Sequence, residues 1–292
     1  MSYRQLGDLQ ISRVMELTQP FVGREFFPDT SEADWAPHRE WLAAEGAYDL
    51  STGSILLPIQ SYVVRTSHHI VLVDTCLGND KQRPLRPDWH MKSDDIYMRN
   101  LTALGLTCAD IDFVMCTHLH VDHVGWNTRL VDGRWVPAFP NARYLLSKQE
   151  LEIFKVEDHP AASMSLVDSV LPVVESGQAD LITSDYALDD EVWLEPTPGH
   201  TPDHFAVRLA SKNQHAVLGG DLMHSPVQCL HPEWRPRPDW DPELAHRTRG
   251  DFMERHCEND TLVCMMHFPL PSAGRFERQG GVFRFRYDTQ VW

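Results

Sequence analysis

Four potential metal ligands fall within six residues at His118-Leu119-His120-Val121-Asp122-His123, directly after the apolar run Phe113-Val114-Met115-Cys116. The run reads as a short buried strand that delivers the chain into the cluster. In an extended chain, residues two apart project to one side, so His118, His120 and Asp122 can converge just beyond the strand end. His123 requires a bend, and Gly125 permits a turn there. Such a bend would aim His123 alongside Asp122 toward a second ion while His118 and His120 hold the first. A lone histidine is ordinarily a core or surface residue, but three with an aspartate at this spacing form the pattern of a metal site.

Three later segments repeat the arrangement. Thr197-Pro198-Gly199-His200-Thr201 follows the strand-like Val192–Leu194, and Gly219-Gly220-Asp221 follows Ala216–Leu218. His267 follows Leu262–Met266 and precedes Phe268-Pro269. Strand ends share a sheet edge, where loops that carry function collect. A catalytic zinc uses three protein ligands and keeps one position open, so the seven candidates divide into three, three and one shared. Asp221 is the best shared ligand, because a carboxylate can bridge through its two oxygens and imidazole cannot do so in the same way.

The remaining chain alternates strand and helix signals. Tyr62–Val64 and Ile70–Val73 read as a hairpin, with His68 and His69 as turn residues rather than ligands. Ser93 is placed to cap a helix through Leu104, with Ile96, Asn100, Leu101 and Leu104 on one face and Gly105 as its stop. Ala142–Leu146 reads as a strand, and Ser147–Lys155 as a helix with a Ser147/Glu150 capping box. Phe205–Leu209 is a further strand. Phe283, Phe285 and Tyr287 alternate with Arg284 and Arg286 as a strand with one aromatic face. Residues 20–50, rich in Pro, Trp, Phe and acidic residues with a short helical stretch at Pro37–Ala44, read as a lid, arm or association segment. Strands and helices interspersed without βαβ regularity suggest layered α/β, in one domain over residues 1–292.

The chain carries 26 Lys and Arg against 42 Asp and Glu, a formal charge of −16. That balance disfavours nucleic acid as a partner. No apolar stretch approaches the roughly 20 residues needed to span a bilayer. Met1–Gln10 lacks the basic start and apolar stretch of a secretory signal, so a cytoplasmic location is expected. The six cysteines show no C-x-x-C spacing and read as reduced thiols.

With these motifs in place, the chain resembles the metallo-β-lactamase-fold hydrolase superfamily. Its His-x-His-x-Asp-His motif is matched by His118, His120, Asp122 and His123, and its later ligands by His200, Asp221 and His267. The resemblance implies a four-layer αββα sandwich with a dinuclear metal site at the edge of the two sheets, holding two zinc ions per chain or other divalent metals. It also implies that Asp74 supports the site; an ordinary strand-end aspartate is the other reading. Two cations about 3.5–4 Å apart hold a bridging water and bring its pKa to about 7, supplying hydroxide. Asp122 would orient that hydroxide and return a proton to the leaving group.

Departures from known branches narrow the substrate. The commonest metallo-β-lactamases place cysteine where Asp221 stands, and flavodiiron proteins place an acidic residue at the position of His120. The bridging Asp221 and the spacing look closest to the acyl-homoserine lactonases and organophosphorus hydrolases. Lactonases carry a tyrosine three residues after the bridging aspartate, where this chain has His224, which resembles the organophosphorus branch. His224 can donate a hydrogen bond or a proton, and a structural histidine is the alternative. His204 reads as a loop or supporting residue, while Trp126 and Phe268 either wall a pocket or pack the core. The expectation is a dinuclear hydrolase of a small ester or lactone. Its alternatives are a phosphotriester hydrolase or an iron-dependent thiol dioxygenase, and the aromatic N-terminal segment allows a homodimer.

Overall fold

The structure, a computed structural model, describes residues 3–156, 164–257 and 259–290. An eight-stranded sheet begins with β1 (Arg4–Leu6), β2 (Leu9–Val22), β3 (Tyr48–Asp49), β4 (Ser54–Arg65), β5 (Ile70–Val73) and β6 (Phe113–Met115). After a two-stranded ribbon of β7 (Thr128–Val131) and β8 (Arg134–Pro137), β9 (Arg143–Ser147) and β10 (Ala179–Ile182) complete it. The six-stranded second sheet runs in chain order through β11 (Val192–Pro196), β12 (Phe205–Ser211), β13 (Gln214–Leu218), β14 (Leu262–Cys264), β15 (Ala273–Gln279) and β16 (Val282–Tyr287).

Side-chain alternation along the strands builds the layers. Tyr62, Val64, Val71, Val73 and Met115 face the second sheet and bury against Phe205, Val207, Leu218 and Cys264. Their alternates Val63, Leu72 and Val114 turn the other way, onto Tyr97 and Leu101 of the helix Ile96–Ala103 and Leu151 and Phe154 of the helix Lys148–Val156. On the second sheet, Ala206, Val217 and Val263 turn outward onto Phe252 and Met253 of the helix Pro242–Cys257. Helix, sheet, sheet, helix is the αββα sandwich expected. No described helix is long and apolar enough to cross a membrane.

Strand direction sets where the site lies. Because β5, β6 and β9 run parallel, their C-terminal ends open on one edge. In the second sheet β13 and β14 are parallel, and two antiparallel steps bring the end of β11 to the same side.

Several elements differ from expectation. The helix at Ser93 begins instead at Ile96, whose N–H donates to the Asp94 carboxylate, and Tyr97 rather than Ile96 is on its buried face. Half of the Ser147 capping box forms: the Glu150 N–H donates to Ser147 Oγ, while the Glu150 carboxylate accepts from the Asp203 N–H. Strand β2 escaped the reading because its register shifts between Met15 and Leu17, which breaks the two-residue alternation. Glu16, at that irregularity, is buried and accepts from the Leu77 N–H, Lys92 and Trp126 Nε1.

The segment 20–50 is not a bare flap. Its short helices Gly23–Phe26, Glu32–Trp35 and Arg39–Ala44 carry Phe26, Trp35 and Leu42, which bury with Phe27, just past the first helix, and with Leu57, Val227 and Trp234.

Glu195 of β11 fastens the outer helix to the second sheet. It accepts from Arg208 Nη1 at 2.8 Å, from Arg255, and lies 3.3 Å from His256 Nε2. Burial would raise its pKa, but His256 and Arg208 outweigh burial and hold it at about 2. A depressed carboxylate stabilises the fold above its unfolded-state pKa and loses that contribution as pH falls through its folded one. Glu195→Gln should therefore cost about 2 kcal/mol at pH 7, with solvent screening of Arg255 allowed for. In urea unfolding, the gap from wild type should close as pH falls from about 4.5 toward 2.

Candidate metal centre

The convergence of the seven residues begins with the way two loops are held together. After β5, Asp74 takes a left-handed φ of 57°, a conformation that aspartate tolerates better than most residues. The next residues zip onto the motif: the Thr75 N–H donates to the His123 carbonyl, the Gly125 N–H to the Cys76 carbonyl and the Trp126 N–H to the Thr75 carbonyl. Gly125 opens the 3-10 turn Gly125–Asn127 and also serves this contact. A Cβ there would lie 1.9 Å from the Leu77 carbonyl carbon.

Beyond Met115 the chain does not stay extended. A turn closed by the His123 N–H on the His120 carbonyl begins at His120, so Asp122 leaves the side shared by His118 and His120. His118 Nε2 and His200 Nε2 each lie 3.0 Å from His120 Nδ1, and Asp221 Oδ2 is 3.7 Å from the first and 3.4 Å from the second. On the other side, His123 Nε2 and His267 Nε2 lie 3.0 and 2.8 Å from Asp221 Oδ1, and both are 3.9 Å from Asp122 Oδ2. Asp221 thus stands between two groups, each able to hold a metal ion. Nitrogens about 2.0–2.1 Å from a tetrahedral zinc sit roughly 3.3 Å apart, close to these spacings.

The hydrogen bonds behind the cluster aim it. His123 Nδ1 pairs with Asp74 Oδ2 at 2.8 Å, His200 Nδ1 with Asp239 Oδ1 at 2.9 Å, and His267 Nδ1 donates to the Pro58 carbonyl at 2.8 Å. His118 Nδ1 meets Thr117 Oγ1, which itself donates to Asp74. These four imidazoles each spend one nitrogen on the protein and turn the other inward, as metal-binding histidines do. The inward His123 Nε2 and His267 Nε2 lie 3.0 and 2.8 Å from Asp221 Oδ1, yet none of the three buried atoms makes a hydrogen bond of good geometry among the described residues. Three polar atoms in that condition are costly unless something else satisfies them.

Electrostatics follow from burial and crowding. Burial pushes His118 and His120 well down, leaving neutral rings with available lone pairs. Burial would raise Asp221, but His123, His267 and His224 surround it and hold it well below the carboxylate range. Burial also opposes protonation of His200, yet Asp221 and Asp239 lift it to about 9 in the absence of a cation.

His224 lies in the same cluster, its Nε2 3.1 Å from Asp221 Oδ2 and its ring stacked on His267. His204 supports Asp221 from behind: its Nε2 accepts from the Asp221 N–H at 3.0 Å, and its Nδ1 meets Thr197 Oγ1. Gly220 between them has a φ of 53°, and a Cβ there would come within 2.5 Å of His204 Nε2. Trp126 and Phe268 pack the core instead of the pocket, Trp126 stacked on Tyr97 and Phe268 against Phe285. His68 and His69 lie in the turn between β4 and β5. Asp239 and Phe26 were missed; neither sits in a motif, and only the fold brings them near His200 and His224.

The cluster opens into a cavity of about 1100 Å³. His120, Asp122, His200, Asp221, His224 and His267 line its floor, and Phe21, Phe26, Leu57, Trp89, Phe154 and Trp240 contribute to its walls.

Residues 55–252 match the metallo-beta-lactamase superfamily, and the chain belongs to it. It is 25% identical over 182 residues to an N-acyl homoserine lactonase of Bacillus cereus, covering 58% of this chain and 65% of that protein. Against an N-acyl homoserine lactonase of Azorhizobium caulinodans it is 30% identical over 125 residues, 41% of this chain and 44% of the relative. The chain thus spans just under two thirds of the first of these relatives. Among solved structures it resembles AbOPH, a hydrolase in the beta-lactamase superfamily, with a TM-score of 0.81, 23% identity and coverage of 99% and 97% of the two chains. AidC, a dizinc quorum-quenching lactonase in complex with the product N-hexanoyl-L-homoserine, gives the same TM-score and coverage at 20% identity. The chain thus belongs to this superfamily and brings candidate metal ligands together.

Asp74→Ala touches none of the inward-facing atoms but removes the partner of His123. It should weaken divalent-metal retention about 10–100-fold, read by competition with a chromophoric chelator, with native circular dichroism retained.

Proposed function

We propose that this chain is a dinuclear, zinc-dependent hydrolase of a small ester or lactone. The observation that carries the reading is the convergence of His123 Nε2, His267 Nε2 and Asp221 Oδ1, buried and without a hydrogen bond of good geometry among the described residues, beside the His118, His120 and His200 nitrogens. His118, His120 and His200 would hold one ion, Asp122, His123 and His267 the other, with Asp221 bridging. Two such cations supply Lewis acidity for a carbonyl or phosphoryl oxygen and acidify water toward neutral pH.

The chain's own residues do the rest. The Asp122 side chain is 18% exposed, against 4% or less for His118, His123, His200, Asp221 and His267, and it lines the cavity. From there its carboxylate orients the attacking water and passes a proton toward the leaving group. His224 lines the cavity, and with its Nε2–H donated to the Asp221 carboxylate, its Nδ1, buried and unpartnered among the described residues, is left as an acceptor that can hold a water or a substrate N–H. The aromatic and aliphatic walls exclude water and suit an apolar acyl or aryl group.

A histidine rather than a tyrosine at position 224 favours, as the second reading, a phosphotriester. In the main reading residues 20–50 act as the lid of one domain over 1–292, and a homodimer through that segment is compatible with it. Free cysteines fit the reducing cytoplasm.

Metal analysis of the purified protein should give two zinc ions per chain. A panel of aryl ester, acyl lactone and phosphotriester should show carboxylic ester or lactone turnover that chelation abolishes and zinc restores. His224→Ala should lower kcat about 100-fold with both ions retained. One iron per chain with no hydrolysis would replace this reading with the thiol dioxygenase, and preferred phosphotriester turnover would select the second.

A further inference from the structure

We propose that Phe26 is a positioning residue for the hydrolytic site: by packing against His224, it holds that imidazole in place and couples the N-terminal segment to turnover. This rests on the reading of His224 given above.

His224 is fixed on only some of its sides. Its backbone N–H donates to Gln228 Oε1, its Nε2 meets Asp221, and its ring is stacked on His267 at an interplanar angle of 12° and tilted against His200 at 5.0 Å. Phe26 supplies a further contact, with ring centroids 5.2 Å apart and a tilt of 56°. Both rings are nearly buried and both line the cavity. With Nδ1 lacking a protein partner among the described residues, no hydrogen bond there sets the angle of the ring, so that packing contact restrains it.

Phe26 is itself held firmly. Its ring packs on Phe21 and Phe27, at 5.1 and 5.2 Å, and Phe27 packs on Trp35 and Trp234. Its carbonyl accepts from the Arg237 N–H at 2.7 Å. Two residues further on, Asp239 accepts from His200, and the Trp240 N–H donates to the His200 carbonyl. The strip Arg237–Trp240 is therefore bonded to Phe26 at one end and to His200 at the other. A shift of the segment would disturb His224 directly and His200 through this strip. Phe26 is thus placed to set the orientation that turnover requires, more than the affinity for substrate.

A double-mutant cycle on the zinc-loaded enzyme tests this. Phe26→Ala should lower kcat about tenfold while KM changes less than about twofold, and Phe26→Leu should recover part of the loss. In the His224→Ala background, Phe26→Ala should lower kcat by less than about twofold, since the group it acts through is gone. Independently of activity, the ring resonances of His224 in protein labelled with 15N-histidine, assigned by their loss in His224→Ala, should shift in Phe26→Ala. Two ions per chain should be retained. Equal losses from Phe26→Ala in both backgrounds, or unmoved His224 resonances, would overturn the coupling and leave the hydrolase reading intact. An unchanged kcat in His224→Ala would overturn the role of His224 and this inference with it.

Discussion

A single buried carboxylate underlies the geometry of the site. Asp74, fully buried at the end of β5, accepts from the Thr117 N–H and Thr117 Oγ1 and pairs with His123 Nδ1. Thr117 Oγ1 passes the restraint on to His118. One residue thereby aims a histidine in each of the two groups, across a gap of more than forty positions. The left-handed turn at Asp74 makes this possible, because it lets the backbone leave β5 for the motif loop while the carboxylate stays beneath it. Burying a charge without partners is costly, so the carboxylate fixes its neighbours as firmly as they fix it.

Asp239 plays the corresponding part for His200 and is itself paired with the buried Arg249 of the outer helix. His204 braces the Asp221 backbone. The inward-facing atoms are consequently preorganised by groups from both sheets and a helix, which is the condition for a site that holds its shape before a ligand arrives.

The seven inward residues were legible because local chemistry marks them: coordination needs particular side chains, and strand ends put them in short, dense motifs. The layers were legible for a similar reason, since Tyr62–Val64, Ile70–Val73 and Phe113–Cys116 carry the apolar pattern of strands buried on both faces. Strand β2 was not, because the irregularity at Glu16 interrupts its alternation. Asp239 and Phe26 left no local trace, being defined by contacts with residues 39 and 198 positions away. Within the motif the bend was placed too late. The sequence offers Gly125 as the flexible point; the structure turns first at His120 and again at Gly125, where the glycine also allows close backbone contact. Segment 20–50 reads from its composition as a lid, arm or association segment, and its aromatic residues form a core with Val227 and Trp234 that no local pattern announces.

The central claim is that Asp221 stands between two metal ions. Anomalous scattering from crystals of the zinc-loaded protein, collected on either side of the zinc edge, tests it most directly. The account predicts two peaks about 3.5–4 Å apart, one against His118, His120 and His200 and one against Asp122, His123 and His267, with the Asp221 carboxylate between them. A single peak, or peaks that leave Asp221 out of contact with either ion, would contradict it.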